Sequence, residues 1–470
     1  MIKISDYLWE IPKSFRADMR VPARIYIDKN LLQKVFEDKS LEQLVNVATL
    51  PGIIDYAYVM PDVHEGYGFP IGGVAAMDLK EGVISPGGVG YDINCGVRIL
   101  RSDLSDKEIQ PHLFNLMNQI QRDVPSGVGR GGGIKLNPQS MKNVLEQGVK
   151  YVVEKGYGDK EDIENCEEQG AMLAAQSEAV SVKAKERGRD QLGTLGSGNH
   201  FLEVQKVDEI FDEETARIFE LKKDQVTIMI HSGSRGLGHQ VCTDHVSIMH
   251  QTAAKYRIKL PDSELACVPF DSAEGKNYFF AMAASANFAW ANRQLIMHLI
   301  RKAWQRILGE SGGKLKLIYD VAHNIAKIEE RDGEKLIIHR KGATRAFGPG
   351  AKDIPEKYRQ VGQPILIPGT MGTASYILVG AQKAAETFFS VCHGAGRVLS
   401  RHAALRLGSG QTIKKELEDR GIIIRCLSAR GLAEEAPMAY KDIHNVVDVV
   451  VKAGLAKLVA RLKPMGVVKG

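Results

Sequence analysis

The sequence lacks several features that would place the protein in a membrane or outside the cell. It has no apolar run of about 18 residues, which is the length that a membrane-spanning helix requires. Its first residues, MIKISDYLWEIPKS, lack a basic segment followed by an apolar stretch, so they do not resemble a secretory signal. The 6 cysteines are scattered and form no C-x-x-C pair. We therefore expect a cytoplasmic protein with no membrane partner, whose cysteines are thiols or ligands rather than a disulfide framework.

The content of aromatic residues and the net charge are also low. Aromatic residues make up 7% of the chain, and the formal net charge is +5. Proteins that only bind RNA usually stack bases on aromatic rings and contact phosphates with many basic side chains. The composition therefore gives little support to a non-catalytic RNA-binding protein, although a mildly basic chain weakly favours a polyanionic partner.

Three nucleotide-binding signatures are absent or incomplete. The Lys-x-Asp-Gly motif of lysine-dependent nucleotidyltransferases is missing, because the only Asp-Gly pair follows Glu330 and Arg331. The glycines of 127–132 match the spacing G-x-G-x-x-G, but no strand of a βαβ unit precedes them. Gly313-Lys314 is followed by leucine, so it is not a P-loop. If the chain carries a nucleotide covalently, the carrier is therefore not the lysine of a Lys-x-Asp-Gly motif.

The hydrophobic pattern predicts helices and strands in a mixed order. Apolar positions at helical spacing predict helices at 30–48, 161–187, 277–308 and 444–462. Short β-branched runs predict strands at 53–60, 226–230, 316–321, 335–342 and 364–368. Because no regular βαβ alternation is present, we expect an α+β fold in one large domain that spans 1–470.

Asp92 and Cys95 are three residues apart on a glycine-bracketed loop and could face one cation. His200, His231, His323 and His393 share a local pattern, because most of them follow an apolar segment or border a glycine-rich loop. Strand ends beside loops are where converging ligands are commonly placed. Cys95 could instead be a small buried hydrophobe, and each histidine could be an ordinary core or surface group. As ligands, the set would suit one or two divalent ions, and ligand softness by itself favours zinc.

The segment CHGAGR (392–397) places His393 between a cysteine and a glycine, with Arg397 four residues on. An imidazole can form a covalent phosphoramidate, and arginine can pair with phosphate oxygens. An ordinary loop histidine is the alternative. Runs of backbone N–H groups in glycine loops can also cradle phosphates, although some of these loops are ordinary turns. The glycine loops are 85–92, 126–133, 231–238, 368–375 and 393–397.

Taken together, the motifs resemble those of the RtcB family of RNA ligases, in the same order and over nearly the whole chain. The matching segments are MPDVHEGYGFPIGG (60–73), GYDINCGVR (90–98), LGSGNHFLE (195–203), HSGSRGLG (231–238), YDVAHN (319–324), PGTMGTASY (368–376), CHGAGR (392–397), EEAPMAYKD (434–442) and GVVKG (466–470). The resemblance implies an RtcB-type fold of mostly antiparallel sheets with surrounding helices.

The resemblance also implies a set of site residues. The metal would be manganese rather than zinc, with two ions per site and Cys95 bridging them, and His393 would be the guanylated catalytic residue. Thr370 stands where an acidic residue is common in the family, which puts a side-chain contact there in doubt. The implied metal ligands are Asp92, Cys95, His200, His231 and His323. The implied GTP-binding residues are Asn199, His200, Phe201, Leu202, Glu203, His323, Asn324, Pro368, Gly369, Thr370, Met371, Ser375, His393, Gly394, Ala395, Gly396, Tyr440 and Lys469; Arg235, Lys341 and Arg397 are implied RNA or phosphate contacts.

The resemblance implies a GTP- and manganese-dependent ligase that joins a 3′-phosphate or 2′,3′-cyclic phosphate RNA end to a 5′-hydroxyl end. The guanylated histidine would activate the 3′-phosphate as RNA-ppG, in tRNA splicing, RNA repair or both. Archease is an expected partner besides RNA. The alternative from the same residues is a metal-dependent phosphodiesterase that hydrolyses RNA ends without ligating them, for which His393 would be dispensable.

Overall fold

The computed structural model of the protein describes residues 1–127 and 129–470. Val128, in the predicted 126–133 glycine loop, lies outside the described residues. Within the described ranges, no helix is both long enough and apolar enough to cross a bilayer. The α-helices are α1 (Lys29–Val35), α2 (Ser40–Val47), α3 (Asp106–Asp123), α4 (Pro138–Gln147), α5 (Val149–Glu154), α6 (Lys160–Glu164), α7 (Val182–Gly188), α8 (Glu213–Ile218), α9 (Arg235–Tyr256), α10 (Ala273–Leu308), α11 (Arg401–Leu405), α12 (Gly410–Asp419), α13 (Ala429–Glu434) and α14 (Ile443–Lys452).

Most strands are short and belong to two large sheets. They are β1 (Ile2–Lys3), β2 (Leu8–Ile11), β3 (Ala23–Tyr26), β4 (Ala57–His64), β5 (Ile71–Asp78), β6 (Val83–Ile84), β7 (Gly96–Ser105), β8 (Phe201–Ile210), β9 (Gln225–Ser232), β10 (Val268–Pro269), β11 (Lys316–Ala322), β12 (Asn324–Arg331), β13 (Glu334–Lys341), β14 (Ala343–Arg345), β15 (Pro364–Ile367), β16 (Ser375–Gly380), β17 (Ser390–Cys392), β18 (Ile423–Cys426) and β19 (Ala456–Lys469).

The two large sheets are mostly antiparallel, which confirms the predicted α+β fold in one large domain. A seven-stranded sheet has the order β1-β2-β3-β4-β5-β13-β12. An eight-stranded sheet has the order β11-β7-β9-β8-β19-β16-β15, with β18 beside β19. Only the pairs β3–β4 and β18–β19 run parallel among the described strands. Along β8, Leu202 and Val204 face the apolar cluster beneath α3 and α10, whereas Phe201 faces the opposite cluster, as the two-residue period of a strand requires.

The long helix α10 runs through the interior and is buried on all sides along its middle. Its residues from Ala281 to Met297 are fully or almost fully buried, so the helix carries no amphipathic pattern there. Polar residues on this helix contact loops rather than solvent. Asn292 accepts hydrogen bonds from the backbone N–H groups of Gly193 and Thr194 at 2.8 and 3.1 Å. The helix therefore supports the loops that surround it.

Arg293 of α10 is the centre of a fully buried ionic network. Its guanidinium donates two hydrogen bonds to Asp320 of β11, at 2.9 and 2.8 Å, and Arg98 of β7 donates a third at 2.7 Å. Arg293 also donates to the backbone carbonyls of Asn94 and Ser232, both at 2.8 Å. A single buried guanidinium therefore joins the loop before β7 to the end of β9.

Several predicted elements agree with the structure. The predicted helix at 277–308 is confirmed as part of α10, and four predicted strands are confirmed as β9, β11, β13 and β15. The strand predicted at 53–60 begins later, at Ala57, because a turn with Gly52 and Asp55 at positive φ comes first. The helix predicted at 30–48 is interrupted between Val35 and Ser40, where the Asp38 carboxylate accepts the Ser40 N–H at 2.8 Å.

The helix predicted at 161–187 is wrong for most of its length. Only α6 and α7 occupy its two ends, and two short 3₁₀ turns lie between them. Glu168 and Gln169 adopt positive φ, and the side chains of Glu167 and Glu168 turn inward to Lys327. Two charged residues of this segment are thus partners of a buried cation rather than positions on a continuous helix.

The helix predicted at 444–462 is also wrong in its second half. The helix α14 ends at Lys452, and Gly454 follows with a φ of +80°. Glycine at this position ends helices readily, because it adopts the left-handed conformation without steric cost. The chain then continues as the strand β19, which pairs with both β8 and β16.

The buried network makes a prediction about stability. Asp320→Asn removes the carboxylate that pairs with the guanidinium groups of both Arg98 and Arg293, and leaves two buried cations without this partner. Removing one partner of a buried ion pair typically costs about 3–5 kcal/mol, so the unfolding midpoint in denaturant should fall strongly. Glu178→Gln, which breaks the exposed pair with Lys142, is the control and should leave the midpoint unchanged. Equal midpoints for the two variants would contradict the assignment.

Candidate active site

Five side chains with metal-binding chemistry converge at one edge of the eight-stranded sheet. Asp92 and Cys95 precede β7, His200 precedes β8, His231 lies at the end of β9, and His323 follows β11. These four strands are neighbours in the order β11-β7-β9-β8 and alternate in direction. The starts of β7 and β8 and the ends of β9 and β11 therefore meet at the same edge. The antiparallel topology brings together residues that are far apart in the sequence.

The ligand atoms of these side chains face one another at short distances. The Cys95 Sγ lies 3.4 Å from His200 Nε2 and 3.3 Å from His231 Nε2. His231 Nε2 lies 3.3 Å from His323 Nε2, and His200 Nε2 lies 2.7 Å from an Asp92 oxygen. The atoms form two groups that share the sulfur: Cys95 with His231 and His323, and Cys95 with Asp92 and His200. This donor set could hold two cations bridged by Cys95.

Burial sets the charge of these groups. Burial lowers the pKa of His231 and His323 well below the ordinary value, so both rings are neutral, as ligands must be. Burial also raises the pKa of the Cys95 thiol well above its usual range. Burial opposes ionisation of Asp92 too, but His200 beside it holds the pKa of that carboxyl below its usual range. A cation would deprotonate the thiol by binding it.

His393 lies beside the metal-binding groups but is held by a different partner. Its Nδ1 lies 2.5 Å from a carboxylate oxygen of Asp62, and its backbone N–H donates to the same oxygen at 2.9 Å. The ring centroids of His393 and His323 are 4.8 Å apart. Because Asp62 accepts the Nδ1 proton, the lone pair of His393 is on Nε2. The nitrogen that could attack phosphorus is therefore free, close to the metal-binding edge.

Asp62 is fully buried, and its role is not apparent from the sequence. The motif at 60–73 contains it, but nothing in the local sequence connects it with a histidine 331 positions away. Lys441 also supports this strand, because its ammonium donates to the carbonyls of Pro61, at 3.1 Å, and Val63. Its backbone N–H donates to the carbonyl of Gly396 at 2.9 Å. Lys441 thus links the strand that carries Asp62 to the loop that carries His393.

A cavity of about 760 Å³ opens over both groups. Its size lies within the range of roughly 300–1,000 Å³ that is typical of small-molecule sites. The structure brings most of the implied nucleotide-binding residues to its wall. Those that line it are Asn199, Phe201, His323, Asn324, Pro368, Gly369, Thr370, Met371, His393, Gly394, Ala395, Gly396, Tyr440 and Lys469.

Four of the residues that the resemblance implies for nucleotide binding do not line the cavity. His200 faces the metal-binding group, and the Leu202 side chain points into the apolar core. Glu203 is buried, and its carboxylate accepts a hydrogen bond from Gln205 at 2.7 Å. Gln205 also donates to the hydroxyl of Ser375 at 3.1 Å. Burial raises the pKa of Glu203 to about 8, and one of its oxygens has no hydrogen-bond partner among the described residues.

The side chain of Thr370 also lines the cavity, but it contacts its own loop. Its hydroxyl lies 3.0 Å from the hydroxyl of Thr373, and its backbone N–H donates to the same atom at 2.7 Å. The loop at 368–375 is therefore held by its own side chains. Backbone groups, rather than an acidic side chain at this position, are what the loop offers to a ligand.

The three implied phosphate contacts differ in their surroundings. Arg235 lies beside the metal-binding group, with one guanidinium nitrogen 3.3 Å from His200 Nδ1. Lys341 is buried and donates to the carbonyls of Tyr67 and Phe69 at 2.7 and 2.9 Å. Burial lowers the pKa of Lys341 to about 7.

Arg397 lines the cavity, and its guanidinium contacts four groups of the protein, one of which is the carbonyl of Leu399 at 3.0 Å. It donates to the hydroxyl of Tyr440 at 3.1 Å and to the carbonyl of Glu434 at 2.8 Å, and it pairs with Glu435 at 3.2 Å. Arg401, which sequence analysis did not single out, also lines the cavity and pairs with Glu435 at 3.1 Å. Glu435 therefore orders two arginines that line the cavity.

The chain is similar to known proteins over nearly its whole length. The family model described as "tRNA-splicing ligase RtcB" matches residues 43–470. A protein of that name from Archaeoglobus fulgidus is 57% identical over 475 residues, which cover 100% of this chain and 98% of the relative. One from Thermococcus kodakarensis is 55% identical with the same coverage. An "RNA-splicing ligase RtcB" from Mycobacterium tuberculosis is 51% identical and covers 91% of this chain and 100% of the relative. The chain belongs to the RtcB family.

Proposed function

We propose that this protein is an RNA ligase that joins a 3′-phosphate or 2′,3′-cyclic phosphate end to a 5′-hydroxyl end, with GTP as the activating nucleotide. The names of its relatives support RNA ligation in tRNA splicing. The observation that carries the finer proposal is the pairing of His393 with Asp62 beside the two donor groups that share Cys95. That arrangement offers a nucleophilic nitrogen next to a site for cations.

In the first step, Nε2 of His393 attacks the α-phosphorus of GTP and pyrophosphate leaves. Asp62 holds the Nδ1 proton, so it orients the ring and stabilises the positive charge that develops on it. The backbone N–H groups of Gly394 to Gly396 lie along the same cavity wall, where they could contact phosphate oxygens.

In the next steps, the RNA 3′-phosphate attacks the guanylate on His393, which yields RNA-ppG and frees the histidine. The 5′-hydroxyl of the second RNA then attacks the activated phosphate, and GMP leaves. A cyclic phosphate end would first be hydrolysed to the 3′-phosphate. The phosphate in the new bond comes from the RNA, so GTP serves only for activation. Arg235, Lys341 and Arg397 are the proposed phosphate or RNA contacts, and archease is a proposed activating partner.

The metal ions in this proposal are two manganese ions. Asp92, Cys95 and His200 would hold one, and Cys95, His231 and His323 would hold the other. When bound, the ions would neutralise phosphate charge and orient the displacement. The donor set by itself is also suited to zinc, so the choice of manganese follows from the family resemblance.

The guanine base would be recognised by Glu203. The Watson–Crick edge of guanine carries two N–H donors, which match a carboxylate acceptor, whereas adenine presents an acceptor at the corresponding ring nitrogen. Gln205, which also donates to the Ser375 hydroxyl, donates to one oxygen of Glu203, and the other oxygen has no partner among the described residues. Burial raises the pKa of Glu203 to about 8, whereas the nearby Lys469 favours the ionised form that accepts both donors.

His393→Ala should abolish guanylation while leaving metal binding intact, because His393 belongs to neither donor group. The protein is incubated with Mn²⁺ and α-labelled GTP and tested for an acid-labile, base-stable label, and bound manganese is counted after gel filtration. His250→Ala, at an exposed position of α9, is the control and should label normally. An adduct that forms undiminished in His393→Ala would contradict the proposal. RNA-end hydrolysis without GTP that survives in this variant would favour the phosphodiesterase.

Cys95→Ser should reduce manganese binding at both positions, because its sulfur belongs to both donor groups. Asp92→Asn should weaken only one position, because Asp92 belongs to a single group. Calorimetric titration with Mn²⁺ measures the stoichiometry and affinity of each variant. Full two-ion binding by Cys95→Ser would show that the cysteine is not a bridging ligand.

Glu203→Gln should lower the rate of guanylation with GTP at least about 10-fold, because an amide cannot accept both guanine N–H donors. Its manganese binding should not change. Glu209→Gln on the same strand, at a half-exposed position paired with Arg461, is the matched control. If both variants label at the wild-type rate, Glu203 does not contact the base.

A further inference from the structure

The carboxylate that holds His393 lies on a stretch of β4 that its own sheet supports only weakly. Asp62 accepts both hydrogen bonds from His393 on a single oxygen, and its other oxygen has no partner among the described residues. The ladder from β4 to β3 ends at Val59, and the ladder to β5 has no register pair between Val59 and His64. The two ladders therefore leave residues 60–63 without a paired strand.

The side chain of Lys441 takes the place of a paired strand at this point. Its ammonium donates to the carbonyls of Pro61, at 3.1 Å, and Val63, which precede and follow Asp62 in the chain. Alternate peptide groups of an extended strand face the same side, so one ammonium can contact both carbonyls. These two hydrogen bonds restrain the backbone on both sides of Asp62 and thereby the direction of its carboxylate.

The backbone of Lys441 contacts the loop at 393–397, which carries the nucleophile. Its N–H donates to the carbonyl of Gly396 at 2.9 Å. Gly396 in turn packs directly on Asp62, because a Cβ added at this glycine would lie 2.2 Å from the Asp62 carbonyl oxygen. Lys441 therefore holds the carboxylate with its side chain and the nucleophile's loop with its backbone.

Lys441 also supplies the charge that the buried carboxylate needs. Asp62 is 0% exposed and Lys441 is 4% exposed, and a carboxylate removed from water requires a compensating cation. Burial lowers the pKa of Lys441 to about 8, whereas the negative charges of Asp62 and Asp38 oppose that shift and the positive charge of Lys34 adds to it. The ammonium therefore remains charged at neutral pH and can compensate Asp62.

The position of Lys441 separates it from the groups that meet the substrates. Among the described residues, Lys441 belongs neither to the cavity wall nor to the two metal donor groups. Its route to the reacting atoms passes through Asp62 and then His393. A residue placed in this way can affect the reactivity of the nucleophile without affecting how tightly GTP or a cation binds.

We propose that Lys441 is a positioning residue for the nucleophile, which fixes the backbone around Asp62 and compensates its charge so that Nε2 of His393 faces the α-phosphorus of GTP. The inference rests on the proposed ligase function and concerns its first step. There, the bond from Nε2 to phosphorus forms, the bond from phosphorus to the β-phosphate oxygen breaks, and pyrophosphate leaves with the electron pair. The Nδ1 proton stays between the ring and Asp62, and Lys441 neither gives nor takes a proton.

The last step of the reaction provides an internal reference, because the attack of the 5′-hydroxyl on RNA-ppG does not use the His393 nitrogen. The experiment compares this step with adduct formation in the full-length protein with Mn²⁺. Adduct formation is measured with α-labelled GTP over a range of GTP concentrations, which separates kcat from KM. Joining is measured with a pre-activated RNA-ppG and a 5′-hydroxyl RNA, and bound manganese is counted after gel filtration.

Lys441→Met removes the charge and the N–H donors but keeps most of the length of the side chain. It should lower kcat for adduct formation at least about 10-fold, because a nucleophile that is held in the wrong orientation reacts slowly even when GTP is bound. The KM for GTP, manganese binding and joining of RNA-ppG should stay within about 2-fold of the unmutated protein. Lys452→Met, at an exposed position of α14, is the matched control and should not change either step.

Lys441→Arg should recover adduct formation to within about 3-fold of the unmutated protein, because a guanidinium keeps the charge and offers several N–H donors. If Lys441→Met does not fold, Lys441→Gln, which keeps an N–H donor without the charge, should show the same selective loss of adduct formation.

Four results would overturn the inference: adduct formation at the unmutated rate in the uncharged variant, an equal loss of adduct formation and RNA-ppG joining, a raised KM with kcat unchanged, or no recovery in Lys441→Arg. Equal loss of both steps would show that Lys441 supports the fold in general, and a raised KM would show that it acts on GTP binding. Failure of the unmutated protein to form any adduct would instead refute the proposed function.

Discussion

The buried pairing of Arg293 with Asp320 is the interaction on which the metal-binding edge depends. Both side chains are fully excluded from solvent, so their charges must compensate each other. The remaining guanidinium donors of Arg293 hold the carbonyls of Asn94 and Ser232, which adjoin Cys95 and His231 in the sequence. The long helix α10 thereby connects the loop before β7, which carries Cys95, to the end of β9, which carries His231.

The histidines are divided between two roles by their partners. His200, His231 and His323 direct their Nε2 atoms at one another and at Cys95, an arrangement that a cation would stabilise. His393 is instead bonded through Nδ1 to Asp62 and keeps Nε2 free. The close approach of the His393 and His323 rings joins these two parts into one site. A nucleophile beside a cation site is the arrangement that nucleotidyl transfer requires.

One cavity joins the glycine loops at 368–375 and 393–397 to Lys469 and to His64. Asp62 contacts two histidines of this cavity, because its carboxylate accepts from His393 and its backbone carbonyl faces His64 Nδ1. A single buried residue therefore orders two rings that line the same space.

The sequence by itself determined the residue types of the site, the α+β class and the family. Motifs such as 90–98 and 392–397 consist of neighbouring residues, so they can be recognised without knowledge of the fold. It also predicted most of α10 and four strands, because long apolar or β-branched runs mark these elements in the sequence. Only the tertiary structure decided that Asp62 holds His393, since the two are 331 positions apart. It also decided that 161–187 is not one helix, because the charges of Glu167 and Glu168 are satisfied by Lys327 on a distant strand. Local periodicity cannot report such partners, since buried charges are stabilised by whatever the fold brings next to them.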